Sequence, residues 1–314
     1  MMNTREERSG YSPNSPESSL STLEDWLGRR RALIERAIRQ WMPAPEGSDL
    51  AAPVIRAMEA AVGGEAKRVR AALALEVGLA LSAEEKELSP LLAALEMLHA
   101  ASLVLDDLPS MDDAETRRGK PTLHRTFGEA TAILAADALL MQAFEVLATG
   151  VSARSGAVAA RLVAEAARAV GVRGMIGGQF ADLERLPAGA DAALVQQVHL
   201  HKTAPLFEFA ARGAAWIAQA APERCEAAGR LGRSLGLLFQ RVDDWLDAFA
   251  SAEEIGKDVR MDAGKASMVA ILGTQGARAE ILELAAEAKA AAAALDPATP
   301  SLFELIDRVV ARVR

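Results

Sequence analysis

Apolar residues recur every three or four positions along most of this chain, which is the spacing that places them on one face of an α-helix. The first such stretch begins after a capping residue, Ser21 or Thr22, and runs to about Met42, before Pro43 and Pro45. The same pattern predicts further helices at about 49–61, 67–81, 91–107, 128–148, 156–170, 173–183, 191–219, 223–249, 266–272, 276–293 and 300–313. No β-hairpin signal, alternating strand pattern or repeat of fixed period stands out. We therefore expect one all-α domain over residues 21–314.

Local signals predict where some of these helices begin and end. Ser82 and Glu85 have the spacing of a capping box. Pro90 fits the first turn of the helix predicted from Leu91. Loops are expected at about 108–121 and at about 251–265, the second of which is charged and contains Gly256 and Gly264.

Composition and charge narrow the class of protein. The 314 residues are poor in aromatic side chains, and their net charge of −8 argues against a nucleic-acid binder. A single cysteine, Cys225, excludes an internal disulfide and a cysteine-based zinc site. No uninterrupted run of 18 apolar residues occurs, so we expect no membrane-spanning helix. Residues 1–20 are rich in Ser, Pro and charge and lack an apolar signal core, which predicts a flexible tail on a cytoplasmic protein.

Two clusters of aspartates follow apolar helical stretches and are the strongest candidates for chemistry. The first contains Asp106, Asp107 and Asp112, with Asp113 beside them and Arg117-Arg118 shortly after. A spacing of six residues turns Asp106 and Asp112 apart on a regular helix, so the chain must break near Pro109 and fold back if both are to reach one metal ion. The alternative is an acidic surface loop, and the two arginines favour a mixed anion-and-metal site.

The second cluster lies on a predicted helix. Asp243 and Asp247 are four residues apart and share a face, with Asp244 beside them. Like charges this close destabilise a helix unless a cation lies between them. Mg²⁺ prefers oxygen ligands and bridges one or two carboxylates to substrate phosphates. A solvated acidic face is the alternative, but the surrounding apolar residues favour a metal site.

Basic residues are candidate partners for a phosphate group. Lys67 and Arg70 lie on one face at the start of a predicted helix, where the free backbone N–H groups also favour a phosphate. On this spacing alone, a solvated basic turn is the favoured alternative. His99 lies two helical turns before Asp106 on the same face, which leaves a structural and a functional role equally open. His199 and His201 are two residues apart and do not share a helical face, which argues against zinc.

Taken together, these residues resemble the trans-isoprenyl diphosphate synthases of the polyprenyl synthetase family, from about residue 64 to 273. The two hallmark motifs read Asp106-Asp107-x4-Asp112, followed by Arg117-Arg118-Gly-Lys-Pro-Thr, and Phe239-Gln240-x2-Asp243-Asp244-x2-Asp247. Gln179 and Asp182 also fit the family pattern, and the segments around both motifs look similar to bacterial geranylgeranyl diphosphate synthases. The resemblance implies a bundle of about ten or more helices around a central cavity, and a homodimer.

The family reaction joins isopentenyl diphosphate head-to-tail to an allylic diphosphate and releases diphosphate, with several Mg²⁺ ions as cofactor. By resemblance, Asp106, Asp112 and Asp243 bind metal directly, supported by Asp107, Asp244 and Asp247. The residues expected to bind the allylic diphosphate are Arg117, Lys202, Lys257, Thr203 and Gln240. Those expected to bind isopentenyl diphosphate are Lys67, Arg70, His99 and Arg118. Lys202 and the aspartates of both motifs, Asp247 excepted, are the expected catalytic residues.

Small residues before the first motif imply a long product. In the family, the positions just before the motif line the floor of the cavity, and here they are Ala101 and Ser102. The resemblance therefore implies elongation to geranylgeranyl diphosphate, although a bulky residue from another helix, such as Met141 or Phe144, could close the floor. Farnesyl or longer products remain alternatives.

Three positions depart from the family pattern. Ala66 and Ala71 replace a glycine and a proline beside Lys67 and Arg70, and Ala204 replaces a glycine after Thr203, where the turn is expected to differ. None of the three removes a charge. Two rival functions are a terpene cyclase on the same scaffold, disfavoured by the second aspartate cluster, and a non-catalytic regulatory subunit, disfavoured because both clusters are complete.

Overall fold

The computed structural model describes residues 22–44, 50–64, 66–151, 155–184, 192–253, 268–295 and 300–313. Within these residues the chain forms thirteen α-helices and one short β-hairpin, which confirms the predicted all-α class. The helices are α1 (Leu23–Trp41), α2 (Ala52–Val62), α3 (Val69–Ala80), α4 (Glu85–Asp106), α5 (Leu123–Phe127), α6 (Glu129–Gly150), α7 (Gly156–Val170), α8 (Met175–Leu183), α9 (Ala192–Lys202), α10 (Ala204–Ile217), α11 (Pro222–Glu253), α12 (Met268–Leu295) and α13 (Pro300–Ala311). The hairpin pairs β1 (Thr116–Arg117) with β2 (Lys120–Pro121). The predicted tail at residues 1–20 lies outside the described residues, so the domain boundary stays a prediction.

Helix α4 forms the centre of the bundle and delivers the first aspartate cluster. It packs against α1, α3, α6 and α10. The side chains of Leu88, Leu91, Leu95 and Leu98 are completely buried. Because this helix is fixed by neighbours along its length, its last residue, Asp106, is held at a defined place at one end of the core.

The predicted start of α4 was wrong by about one and a half turns. Ser82 is not a helix cap: its backbone is left-handed, at φ 66°, and its N–H donates to the carbonyl of Leu79, so it ends α3. Glu84 is the cap instead, in a capping box with Glu87. Pro90 therefore lies inside α4 rather than at its first turn.

Several other elements also differ from the predicted pattern of helices. The stretch predicted as one helix at 191–219 is two helices, α9 and α10, which meet at Thr203 just before Pro205. Helix α12 joins two predicted helices across a kink at Gly273, where φ is 67°. Helix α5 and the hairpin were not predicted, since each is too short to show an apolar period. Helix α11 extends to Glu253, and the rest of the loop predicted at 251–265 lies outside the described residues.

Among the described residues, α4 and α6 are long and apolar enough to cross a membrane by length and composition alone. In the most apolar 18 residues of α4, 78% is buried inside the protein, as for a core helix. In the corresponding 18 residues of α6, 39% is buried. The expectation of no membrane-spanning helix rested on uninterrupted apolar runs, a stricter criterion, and it stays a prediction.

Candidate active site

The chain folds back after Asp106, as the spacing of the first cluster required. Helix α4 ends there, and the backbone N–H of Asp112 donates to the carbonyl of Asp106 at 2.9 Å. The N–H of Asp113 donates to the carbonyl of Leu108 at 3.0 Å, and Asp113 adopts a left-handed backbone at φ 47°. The break predicted near Pro109 therefore brings Asp112 back beside the end of α4.

Asp107 holds an arginine of the hairpin. Its buried carboxylate accepts hydrogen bonds from Arg117 Nε at 2.8 and 2.9 Å, and Arg117 Nη2 lies 2.6 Å from Oδ1. Although burial lowers the pKa of Arg117, its hydrogen bonds with Asp107 and the charges of Asp106 and Asp112 raise that pKa overall. Arg117 is thus a fully charged group fixed at the edge of the first cluster.

Asp106 lies among charges of both signs. Burial raises the pKa of its carboxyl group to about 6, an effect that the nearby Lys202 opposes and Asp112 reinforces. Lys202 Nζ also lies 2.6 Å from Asp182 Oδ2. Helices α8 and α9 can approach this closely because Gly178 has no side chain, and a Cβ there would lie 2.3 Å from the backbone nitrogen of Lys202. The next residue, Gln179, has both side-chain polar atoms buried without a partner among the described residues.

The second cluster lies on a regular stretch of α11 and is held by side chains from other elements. Asp243 Oδ1 accepts a hydrogen bond from Arg312 Nη1, just after α13, at 2.9 Å. Asp244 Oδ1 accepts one from Gln240 Nε2 at 2.9 Å. Burial raises the pKa of Asp244 to about 6, and the hydrogen bond from Gln240 and the charge of Arg241 work in the opposite direction.

The junction between α9 and α10 connects the two clusters. Lys202 lies near Asp106, while the hydroxyl group of Thr203 donates to Gln240 Oε1 at 2.8 Å. Gln240 in turn donates to Asp244. Ala204 stands where the family pattern has glycine, and the turn there was expected to differ. Ala204 has no positive φ and begins α10, so the backbone at this position does not require glycine.

The predicted basic residues Lys67 and Arg70 lie against aromatic rings of α11 and α10. The ammonium group of Lys67 lies 5.8 Å from the ring centre of Phe239, and the guanidinium of Arg70 lies 4.7 Å from that of Phe207. Burial lowers the pKa of Arg70 to about 10, and the charges of Glu96 and Asp243 oppose this. Burial and the charge of Arg312 lower the pKa of Lys67.

His99 is surrounded by arginines. Burial, followed by the charges of Arg70, Arg118, Arg117 and Arg68, lowers the pKa of its imidazole well below the ordinary value of 6.5. The ring is therefore neutral at physiological pH. A neutral imidazole among four guanidinium groups is a local environment that favours an anionic ligand.

Arg68, between Lys67 and Arg70, has a structural role. Its guanidinium is buried and donates to Glu96 Oε2 at 2.9 Å and to the carbonyl of Val62 at 2.6 Å. Its backbone is left-handed, at φ 57°. Arg68 thus fixes the loop before α3, next to Ala66, where the family pattern has glycine.

The two positions expected at the cavity floor lie in the last turns of α4. Ala101 is fully buried, and the hydroxyl group of Ser102 donates to the carbonyl of His99 at 2.9 Å. Met141 is 63% exposed, so its side chain is not available to close a floor within this chain. Phe144 is partly buried against the core.

Some candidates cannot be placed. Lys257 lies outside the described residues, as does the side chain of His199. The ring of His201 is exposed, with Nδ1 2.7 Å from the carbonyl of Gln197.

Two ion pairs that the sequence does not predict support the second cluster. Arg241 is 2% exposed, donates to Glu280 Oε2 at 2.9 Å and lies 3.9 Å from Asp244 Oδ2. Arg312 pairs with Asp243. An arginine inside an apolar stretch signals a buried partner, but nothing in the sequence names Glu280, 39 residues later.

Known proteins share this arrangement of helices. The model of the family described as polyprenyl synthetase matches residues 52–299. The chain belongs to the polyprenyl synthetase family. Its members are trans-prenyltransferases, which confirms both the resemblance and the enzyme class.

Individual relatives cover most of the chain. A farnesyl diphosphate synthase of Bacillus subtilis (strain 168) is 36% identical over 293 residues, which are 92% of this chain and 98% of that protein. Geranylgeranyl pyrophosphate synthase 9 of Arabidopsis thaliana is 40% identical over 239 residues, 74% of this chain and 66% of that protein. The crystal structure of an FPP/GFPP synthase from Zymomonas mobilis has a TM-score of 0.81 at 28% identity, covering 92% of this chain and 98% of that one. These relatives carry names for several product lengths, so the narrower likeness to bacterial geranylgeranyl diphosphate synthases stays a prediction.

Proposed function

We propose that this prenyltransferase joins isopentenyl diphosphate head-to-tail to an allylic diphosphate, with Mg²⁺, and forms geranylgeranyl diphosphate. The observation that carries the proposal is the link between the two aspartate clusters: Lys202 lies near Asp106, and Thr203 reaches Asp244 through Gln240. These contacts support a shared site at which the Lys202 cation and the carboxylate groups of Asp106 and Asp244 act together. A leaving diphosphate needs both metal ions and fixed cations.

The donor atoms in this region fit Mg²⁺. They are carboxylate oxygens, which are the ligands that this ion prefers. Among the described residues no group of three His, Cys, Asp or Glu side chains could by itself hold a metal ion. The proposed ligands, Asp106, Asp112 and Asp243, would therefore hold Mg²⁺ only together with water and diphosphate oxygens, with Asp107, Asp244 and Asp247 in support. When bound, the metal would stabilise the negative charge that develops on the leaving diphosphate.

The basic residues divide into two groups that suit two diphosphates. Arg117 and Lys202 lie beside the first cluster and would bind the allylic diphosphate, together with Thr203, Gln240 and Lys257. Lys67, Arg70, His99 and Arg118 would bind isopentenyl diphosphate. The electrostatic environment of His99 supports this second site: besides burial, the charges of Arg70 and Arg118 lower the pKa of its ring, and the same positive charges would attract a diphosphate.

Metal dependence tests the reaction directly. Purified protein is mixed with isopentenyl diphosphate and an allylic primer, and released diphosphate is measured with Mg²⁺, after EDTA, and after Mg²⁺ is restored. Release only when Mg²⁺ is present is the expected result. Folded protein that releases no diphosphate from any primer would overturn the proposal and favour a regulatory subunit.

Product length depends on the floor residues. Ala101 and Ser102 are small, which leaves room for a chain beyond farnesyl. We expect Ala101→Tyr to shorten the product, while Ser102→Ala, which adds no bulk, leaves its length unchanged. Chromatography of the dephosphorylated products measures both, and an unchanged product from a folded, active Ala101→Tyr variant would refute this assignment of the floor.

A homodimer is part of the proposal. Helix α6 exposes Ile133, Leu134 and Met141, an apolar set that a second copy of the chain could cover. Leu134→Glu is expected to dissociate the dimer, as measured by sedimentation. Leu282→Glu is the matched control, because Leu282 on α12 is equally exposed, at 55%, and should leave the dimer intact. A monomeric unmodified protein would contradict this part.

A further inference from the structure

The unpredicted hairpin directs two consecutive arginines to two different places. Its turn residues, Arg118 and Gly119, both have left-handed backbones, at φ 53° and 72°, as a two-residue type I′ turn requires. Arg117 pairs with Asp107. Burial, followed by the charges of Arg117 and Arg68, lowers the pKa of Arg118, and the charge of Glu96 opposes this, so Arg118 lies within reach of Arg68 and Glu96. A non-glycine residue at positive φ is strained, so other contacts must hold this turn in place.

A continuous series of hydrogen bonds joins the residues on either side of the hairpin. The N–H of Ala114 donates to the carbonyl of Asp107 at 3.2 Å, and the hydroxyl group of Thr122 donates to the carbonyl of Ala114 at 2.8 Å. The N–H of Thr122 donates to the carbonyl of Glu115 at 3.1 Å. His124 Nδ1 lies 3.1 Å from Thr122 Oγ1, and both side chains are buried.

The position of the protons follows from this geometry. A threonine hydroxyl has one proton, and the Ala114 carbonyl can only accept it. Thr122 Oγ1 must therefore accept a hydrogen bond from His124, which requires a proton on Nδ1. His124 Nε2 is buried and has no hydrogen-bond partner among the described residues. Within that part of the chain, the imidazole therefore forms its hydrogen bond through Nδ1, to Thr122. The imidazole thus fixes the direction of the Thr122 hydroxyl.

We propose that Thr122 and His124 are positioning residues that hold the Arg117–Arg118 hairpin so that each arginine reaches its own diphosphate. The inference rests on the proposed function, because the two diphosphate sites come from it. A positioning role differs from a purely structural role in one respect. Loss of these hydrogen bonds should lower the affinity for diphosphate more than it lowers the stability of the folded protein.

Two matched pairs of variants test the geometry. Thr122→Val removes the hydroxyl at constant shape, and Thr122→Ser keeps it. His124→Gln places its amide nearer the Nε2 position, and His124→Asn places a donor nearer Nδ1. We expect Thr122→Val and His124→Gln to raise KM for both substrates about tenfold. Thr122→Ser and His124→Asn should stay within about twofold of the unmodified enzyme. The turnover rate at saturating substrate should change less than KM in all four.

Calorimetric binding of inorganic diphosphate with Mg²⁺, together with the melting temperature, separates the possible outcomes. Weaker diphosphate binding in Thr122→Val and His124→Gln, with rescue in the conservative variants, supports the inference. Unchanged KM and binding in Thr122→Val would overturn it, as would equal losses in His124→Gln and His124→Asn. If the unmodified protein itself neither turns over nor binds diphosphate, the proposed function fails instead. If Thr122→Val does not fold, the His124 pair still decides.

Discussion

The two aspartate clusters carry similar residues but are built in different ways. The first is formed by the backbone itself, which breaks at the end of α4 and returns through hydrogen bonds between Asp112 and Asp106 and between Asp113 and Leu108. The second lies on uninterrupted α11, and its carboxylates are held by Arg312 and by Gln240, with Arg241 behind them. Local sequence therefore determines the first cluster, and tertiary contacts support the second.

The difference predicts how each cluster fails. A change in the loop should alter chemistry while leaving the core of the bundle unaffected. A change in the support of α11 should lower stability, because a buried charge loses its partner. Substitutions in the two clusters and their supports should therefore separate loss of activity from loss of stability.

Asp112→Asn should cause the largest loss, on the order of 10³-fold in kcat/KM, because a proposed metal ligand loses its charge. Asp113→Asn is the control in the same loop. Its side chain is 60% exposed and 3.7 Å from Arg125, so activity should change by less than about threefold. Steady-state kinetics measures both. Similar activities in the two variants would remove Asp112 from the proposed site.

Glu280→Gln should lower the free energy of unfolding by about 2–4 kcal/mol, because it leaves Arg241 buried with a weaker partner. Urea titration measures this. The control, Asp307→Asn, breaks the solvent-exposed pair with Lys289 and should cost less than about 1 kcal/mol. If both variants lose the same small amount, the second cluster does not depend on this buried support.

His99 should make stability depend on pH. Its folded pKa lies below the unfolded value of 6.5, so the unfolded chain binds more protons as the pH falls below that value, and stability decreases. Between about pH 7.5 and about pH 5.5 this group contributes a loss of about 1 kcal/mol. His99→Gln should show a correspondingly smaller decrease in urea titrations at the two pH values. An identical decrease in both proteins would mean that folding does not lower the pKa of His99.

Arg312→Gln should have the smallest effect. The pair with Asp243 is partly exposed, so its loss should cost about 0.5–1 kcal/mol after solvent screening. Thermal unfolding measures the cost, and Arg224→Gln, a change at a surface position of α11, gives the baseline. A loss of more than about 3 kcal/mol would show that Asp243 is held as firmly as Asp244.

Particular residues show how far sequence reasoning reached. The break near Pro109 and the face shared by Asp243 and Asp244 followed from spacing, because helical geometry is periodic and local. The start of α4 was wrong because the left-handed backbone of Ser82 depends on how α3 ends. The hairpin was missed because two-residue strands have no period to detect. The pairing of Arg241 with Glu280 and of Arg312 with Asp243 joins residues 39 and 69 positions apart, and the sequence alone does not predict such partners.

The chain length of the product shows both whether the protein condenses the two diphosphates and how far it extends them. Purified protein with Mg²⁺ and isopentenyl diphosphate receives dimethylallyl, geranyl or farnesyl diphosphate in turn, and the dephosphorylated products are separated by chromatography. We predict geranylgeraniol as the end product from each primer. Farnesol alone would keep the reaction but contradict the proposal that small residues at Ala101 and Ser102 permit a longer product. The absence of any product from the folded protein would contradict the proposed reaction itself.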